Sequence, residues 1–551
     1  MYNVYTKNEI KMEGVSMNGQ MTREELLPIR IVDSNEVENV QGLLEMRLEG
    51  LPYGICFASS GWVGFQGKGS YVLLDFGKEL CGGIRMVTRE CETTTKWRLT
   101  FGESVTEAVS CIGEKNATND HSPRDFEVMT SNMSDLEFGQ TGFRFVRIEL
   151  LSDTPAIVQN IVAVSHLPAF EKEAEIVTND ERLNQIIKTA AYTLKLCFQK
   201  GYIWDGIKRD RLVWCGDLHQ EVITSLYLFG DNENVKNSLL FLRKTMELQE
   251  NTDEEWKWIN WIPSYSAWWV INLCDYCTFT GNQEFFRENR EYALEILKQF
   301  DALISENGEV SLTVENDLEY FLDWPSCGHP DAVIGVSALL LWMAQKFVKL
   351  EKNENAESII RKLSGCVEKE TSLKQVRAFQ VLAGRNHPEE DLQLFIEDGA
   401  KGISTFMAYY ILTAMAKTGG TQTLEMLKQY YGGMLDKVAT TFWEDFDIAW
   451  LENSSRIDEF PKEGEKDIHG DFGKFCYEQF RHSLCHGWSS GVLAFIVEHI
   501  IGLRIEEGGE KISVTPHLMG LTEIEAKIPL KNGTAMISIH GEDVQVSINK
   551  A

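Results

Sequence analysis

The sequence predicts a multidomain α+β protein, with a long all-helical block between an N-terminal β-sandwich and a small C-terminal β-domain. Three observations predict it. Short strand-like runs fill residues 31–170, apolar residues recur at helical spacing over 171–503, and alternation with a period of two returns over 504–551. Residues 1–30 read as a poorly structured leader. A length of 551 residues suits about three or four domains, or one large domain with satellites.

In the first β region the runs are Tyr71–Phe76, Ile84–Val87, Trp97–Phe101 and Phe143–Leu150, separated by glycine-containing stretches. In the last of these, Val146, Ile148 and Leu150 alternate with Arg147 and Glu149, the pattern of a half-buried antiparallel strand. Asn179-Asp180 can cap a helix with Leu183, Ile186, Ile187, Ala190 and Leu194 on one face. Similar patterns at Val222–Phe229, Tyr292–Ile304, Val333–Leu350, Ser358–Val367, Phe406–Met415 and Val492–Ile501 indicate about ten to twelve helices. Near the end, Ile528–Leu530 and Ala535–His540 flank Asn532-Gly533, which reads as a hairpin turn, and Val544–Ile548 supplies a further alternating strand.

The formal charge is −30, from 53 Lys+Arg against 83 Asp+Glu. This argues against nucleic acid, which needs a basic face, and against anionic membrane surfaces. The apolar stretch Ala332–Ala344 falls short of the about 20 residues that span a bilayer, and the first twenty residues hold no apolar signal core. The twelve cysteines form no compact framework. Free thiols in a cytoplasmic protein are the expectation, and Cys274-x-x-Cys277 sits in an apolar run that reads as a core helix. No cofactor or metal is called for, and the partner expected is a neutral or cationic small molecule. The sequence leaves room for a homo-oligomer without specifying one.

The richest chemistry lies in Trp204–Glu221, where Asp205, Asp210 and Asp217 interleave with Lys208, Arg209, Arg211, Trp214 and His219. The stretch falls largely in a loop between two predicted helices, a common place for catalytic groups. A solvated, salt-bridged connection is the plainer reading, but such a loop has little use for two tryptophans. Arg209 and Arg211 favour ionised Asp210, while Asp205 and Asp217 oppose this. Glu444, beside Trp443 in Thr440–Phe446, is a second acidic candidate, with Asp445, Asp447, Glu452 and Glu478 as nearby alternatives. Two carboxyl groups are the minimum for glycoside hydrolysis. Trp256, Trp258, Trp261, Trp268 and Trp269 crowd one segment, offering flat faces to sugar rings or filling a core. Gly487–Gly491 fits a nucleophile elbow, but no parallel sheet surrounds it. His482 and His486 have metal-ligand spacing without a third ligand, which leaves His486 a candidate hydrogen-bond partner for a hydroxyl.

The segments WDGIKRDRLVWCGD and TTFWEDF, with YVLLDFGKELCGG, LTFGESVTEA, TGFRFVRIEL, IPSYSAWW, YFLDWPS and RHSLCHGWSSG, resemble the bacterial α-L-rhamnosidases of glycoside hydrolase family 78. The resemblance covers roughly residues 40–550. It implies that the helical block is an (α/α)6 barrel. It also implies that Asp205 and Asp217 recognise rhamnose hydroxyls, that Asp210 is the general acid and that Glu444 is the general base. The family inverts configuration, so the two carboxyls should stand about 6.5–9.5 Å apart. Trp214, Trp443, Asp323, Trp324 and His486 should line the pocket, with Arg209 beside the acid and Trp258 added from the tryptophan cluster. Gly206-Ile207 stands where many members have Cys-Pro, and Asp210 where many have Glu. The implied activity is release of terminal α-L-rhamnose from small glycosides or oligosaccharides. The rival readings are a non-catalytic sugar-binding protein on the same scaffold, or another (α/α)6 α-glycosidase.

Overall fold

The structure, a computed structural model, describes residues 20–45, 62–91, 94–249, 258–313 and 318–550. Two long strands, Tyr71–Cys91 and Asp135–Leu150, organise the N-terminal domain. They run antiparallel to one another, and their register shifts between Asp75 and Leu80. Before the shift they pair with Arg30–Asn35 and Thr94–Gly102, and after it Tyr71–Cys91 pairs with Ala156–Ala169. One nine-stranded sheet thus folds over itself as a β-sandwich. It encloses Val72, Leu74, Ile84, Trp97, Phe101, Phe143, Val146, Ile148 and Ile161, with Phe65 and Trp97 edge to face at 5.0 Å.

Tyr71–Phe76 and Ile84–Val87 belong to one strand. The glycines between them do not break it: a Cβ at Gly82 would lie 2.0 Å from the Val164 carbonyl oxygen, so this glycine permits close strand approach. Residues 20–26, read as part of the leader, form a strand on Ala163–Ala169. Its partner is remote in sequence, and no local pattern announces such a pairing. Residues 1–19 lie outside the described residues. The alternation at 146–150 is present, but Gly142 to Phe145 are buried throughout. There the outer face meets the helical domain, where Gly142 N–H donates to Ile207 O at 3.0 Å and Arg144 Nη1 to Val438 O at 3.1 Å.

Between residues 181 and 500 the described residues form twelve α-helices. Six of them, Leu218–Phe229, Pro263–Thr280, Ala332–Leu350, Lys374–Leu382, Thr405–Lys417 and Gly491–Phe495, pack each on the next, and the last returns to the first. The other six lie outside this closed ring, which makes the domain an (α/α)6 barrel. An inner helix has neighbours on every side, so all of Leu218–Phe229 is buried, whereas Glu181–Cys197 buries one face. That face includes the five apolar positions read from the sequence, and Asp180 Oδ1 caps the helix by accepting from Leu183 N–H at 2.9 Å. Helix Ala332–Leu350 is long and apolar enough to cross a membrane by length and composition, but here it is one stave of the inner ring. Cys274 and Cys277 are buried free thiols in helix Pro263–Thr280.

The strands Glu523–Leu530, Gly533–His540 and Asp543–Lys550 form an antiparallel sheet with Glu175–Thr178. The turn is Lys531-Asn532, one residue earlier than the Asn-Gly reading, because Gly533 already pairs with Leu530. Strand Asp543–Lys550 is exposed on both faces, so its alternation does not mark a buried side.

Candidate active site

In the ring, the links from an inner helix to the next outer one are short, such as 230–232 and 281–282. Four of the six links from outer to inner are long: 198–217, 250–262, 303–331 and 437–490. Each long link leads into the N-terminus of an inner helix, and the acids singled out by the resemblance, with His486, lie in three of them. Link 198–217 is closed locally by Asp205. Its N–H donates to Leu212 O at 3.0 Å, and its Oδ1 accepts from Leu212 N–H at 2.9 Å. The loop between is tight enough to put Asp210 and Arg211 at φ 53° and 58°, a left-handed conformation that costs a non-glycine residue roughly 1–2 kcal/mol. Such strain concentrates at functional sites.

The turn brings four carboxyl groups and one cation together. Arg209 Nη1 donates to Asp210 Oδ1 at 3.0 Å, and Nη2 donates to Glu444 Oε1. Glu444 Oε2 accepts from Ser483 N–H at 2.9 Å, and Tyr265 OH donates to Asp217 Oδ2 at 3.0 Å. His486 Nε2 stands 3.6 Å from Asp205 Oδ2, 3.9 Å from Asp217 Oδ1 and 3.6 Å from Glu444 Oε1. Burial, reinforced by Asp210, pushes the Asp205 carboxyl well above its ordinary range, and burial with Asp205 does the same to Asp217. Burial also raises Glu444, opposed by Arg209, His486 and the Ser483 N–H. The imidazole of His486 is pushed down to about 4 by burial, so it is neutral near pH 7. Burial therefore disfavours ionisation of Asp205, Asp217 and Glu444, and Arg209 counters it in part at Glu444.

Asp205, Arg209, Asp210, Trp214, Asp217, Trp324, Glu444 and His486 line one cavity of about 200 Å³. The remaining candidates do not. Trp258 is buried against Phe300, stacked at 5.1 Å, and Trp443 is buried edge-on to Phe446 at 5.6 Å; both fill the core. Asp323 borders an adjoining small cavity, but its oxygens are engaged by Ser326 and Ser404 at 2.5–3.0 Å, so it braces its loop. Among the alternatives to Glu444, Asp447 caps Ala449 N–H and Glu478 reaches Asn116 at the surface. The Gly487–Gly491 motif forms no elbow: Ser489 is buried and donates to Trp443 O. His482 Nε2 accepts from Asp445 N–H at 2.9 Å, which engages it away from His486. Trp256 lies outside the described residues.

The cavity also holds residues that the sequence did not single out individually. Tyr265, Tyr477 and Trp488 line it beside Trp261 of the tryptophan cluster, and the Arg209 guanidinium lies 5.6 Å over the Tyr477 ring. Tyr265 and Trp488 sat inside quoted segments, whereas nothing around Tyr477 distinguished it. From the β-sandwich, His121 Nε2 stands 3.5 Å from Asp210 Oδ1. A larger cavity, about 570 Å³, opens under the hairpin Leu503–Val514 and is lined by Tyr227, Lys346, Tyr409 and Glu498. The converging carboxyl groups are at the other mouth.

Residues 171–331 match the sequence family described as bacterial alpha-L-rhamnosidase 6 hairpin glycosidase domain. No curated protein matches the chain in sequence. Several solved structures share its fold. A rhamnosidase from Klebsiella oxytoca with rhamnose bound superposes with a TM-score of 0.68 at 18% identity, over 87% of this chain and 96% of that one. A family 78 rhamnosidase of Bacillus sp. GL1 gives 0.68 at 17% identity, over 90% and 53%. Streptomyces avermitilis α-L-rhamnosidase complexed with L-rhamnose gives 0.67 at 13% identity, over 96% and 49%. The chain thus spans nearly all of the Klebsiella protein and about half of the other two. The sequence match covers the first five helices of the barrel and is to the bacterial alpha-L-rhamnosidase 6 hairpin glycosidase domain, and the chain as a whole shares the fold of these solved rhamnosidases.

Proposed function

We propose that the protein is an inverting α-L-rhamnosidase that removes terminal α-L-rhamnose from small glycosides or oligosaccharides in the cytoplasm. The observation that carries this reading is the Arg209 guanidinium bridging Asp210 and Glu444 across the wall of one cavity. Two hydrogen bonds and the width of a guanidinium put the bridged oxygens no more than about 8 Å apart, which admits the spacing of an inverting pair. Asp210, 17% exposed at its side chain, protonates the departing glycosidic oxygen. The buried Glu444, held by Ser483 N–H and Arg209, takes the proton of the attacking water. Asp205, Asp217 and His486 meet sugar hydroxyls, and Trp214, Trp261 and Trp324 give flat walls to the ring. About 200 Å³ is below the range of drug-sized pockets, roughly 300–1,000 Å³, and suits one terminal sugar. Rhamnose bound in the Klebsiella and Streptomyces structures favours rhamnose as that sugar. Cys81, Cys197, Cys215 and Cys485 are buried thiols outside any disulfide, as a reducing compartment allows.

The test is turnover of p-nitrophenyl α-L-rhamnoside with wild type, Asp210→Asn and Glu444→Gln, and NMR of the first anomer released. Loss of about 10²–10⁴-fold in kcat is expected for each variant, with β-L-rhamnose formed first. Full activity in Asp210→Asn overturns its role as acid, and initial α-L-rhamnose overturns inversion. Rhamnose binding without turnover of any α-glycoside makes the protein a sugar-binding one.

A further inference from the structure

Glu103 and Glu107 lie in the β-sandwich segment LTFGESVTEA, are fully buried, and take no part in the chemistry above. With His469 they form a cluster of metal-ligand type. The positive charge there comes from within the chain. Lys208 Nζ stands 3.0 Å from Glu103 Oε2 and 3.1 Å from Glu107 Oε1, and donates to Phe480 O at 3.0 Å and His482 O at 2.6 Å. Lys208 immediately precedes Arg209-Asp210. On its other side, Glu103 Oε2 accepts from Leu484 N–H at 2.6 Å and Oε1 from Ser483 Oγ at 3.1 Å. Ser483 N–H is the group that holds Glu444 Oε2. His469 fixes the same segment, since its ring is 2.8 Å from Ser104 Oγ and 2.9 Å from His482 O. Glu79 and Arg144 face the cluster from the neighbouring strands.

One carboxylate of the β-sandwich therefore grips both halves of the catalytic pair: the 208–210 turn through Lys208, and the backbone under Glu444 through Ser483 and Leu484. We infer that Glu103 is a positioning residue, and that the β-sandwich sets the spacing of Asp210 and Glu444 through it. This rests on the roles proposed above for those two residues. Asp205 and Asp217 are held by Leu212 and Tyr265, and the His486 N–H by Phe442 O at 3.0 Å, none of them through Glu103, so turnover and sugar binding should separate.

The experiment compares Glu103→Ala and Glu103→Gln in the full chain, by kcat and KM for p-nitrophenyl α-L-rhamnoside, L-rhamnose binding, and hydrogen exchange at residues 481–486. A misplacement of about 1 Å can cost about 100-fold in rate. Glu103→Ala should lose kcat on that order, keep its rhamnose affinity within about twofold and exchange faster at 481–486. In Glu103→Gln the amide oxygen can still accept from Leu484 and Lys208 while its nitrogen donates to Ser483 Oγ, so kcat should stay within about threefold of wild type. Wild-type kcat in a folded Glu103→Ala overturns the inference. So does equal loss of kcat and rhamnose binding, or a Glu103→Gln as slow as Glu103→Ala. Should Glu103→Ala not fold, Glu103→Asp, which withdraws the oxygens by about 1.5 Å, must lower kcat with rhamnose affinity intact; wild-type kcat there overturns it. Should the wild type turn over no rhamnoside, the reading of function has failed. The exchange comparison then decides the grip, and unchanged protection in Glu103→Ala overturns it.

Discussion

Replacing Arg209 by Met removes the cation from among four carboxyl groups while keeping an apolar stem against Tyr477. In the structure Arg209 offsets the burial that raises Glu444. A unit charge about 4 Å away is worth about 4 kcal/mol at an effective dielectric of 20, which corresponds to about 3 pKa units. Relaxation and entry of water should reduce this to about 2 units. The general base must be ionised to act, so activity is lost as pH falls through its pKa. Arg209→Met should therefore move the acid limb of the kcat/KM profile upward by about 2 units. The assay is kcat/KM for p-nitrophenyl α-L-rhamnoside from pH 4 to 9, with the fold checked by circular dichroism at each pH. A folded Arg209→Met with an unmoved acid limb refutes the reasoning, since the limb would then belong to a group that Arg209 does not touch.

Trp258→Leu should lower stability by about 2 kcal/mol in urea unfolding, because it opens the stack on Phe300, and leave KM nearly unchanged. Trp261→Ala, at a side chain 46% exposed, should do the opposite, raising KM severalfold with stability within about 1 kcal/mol; exchanged outcomes would reverse the two assignments. The carboxyl of Asp445 is pushed up to about 7, chiefly by burial. Its neutral form is the one the fold prefers. Its contribution is therefore full below the unfolded value near 4 and is lost as pH rises through 7. Asp445→Asn should lose less stability than wild type between pH 5 and 8, by about 2 kcal/mol after allowance for partial exposure; parallel stability curves would refute the assignment.

Much of the site was legible in one loop. Asp205, Arg209, Asp210, Trp214 and Asp217 fall within 13 residues of sequence, and close spacing of unlike groups needs no tertiary knowledge to notice. The tryptophan cluster was harder. Trp258 and Trp261 are three residues apart in the same polar-aromatic context, yet one is 4% and the other 46% exposed. A turn with Asn260 and Trp261 at φ 50° and 63° separates them, and composition does not encode that turn. Trp443 shares this ambiguity. Glu444 beside it points to the cavity, where Arg209 and the Ser483 N–H hold its carboxyl group.

What the sequence determined by itself was periodic or local: the order of β, α and β regions, the Asp180 helix cap, the acidic turn and the buried face of Glu181–Cys197. Such signals depend on neighbours within about four residues. Only the tertiary structure decided which carboxyl groups share a cation, that His486 faces three of them, and that Glu103 and His121 of another domain reach the 208–210 turn. These contacts join residues up to several hundred positions apart. Burial, which raises the carboxyl groups of Asp205, Asp217 and Glu444, exists only once the ring has closed.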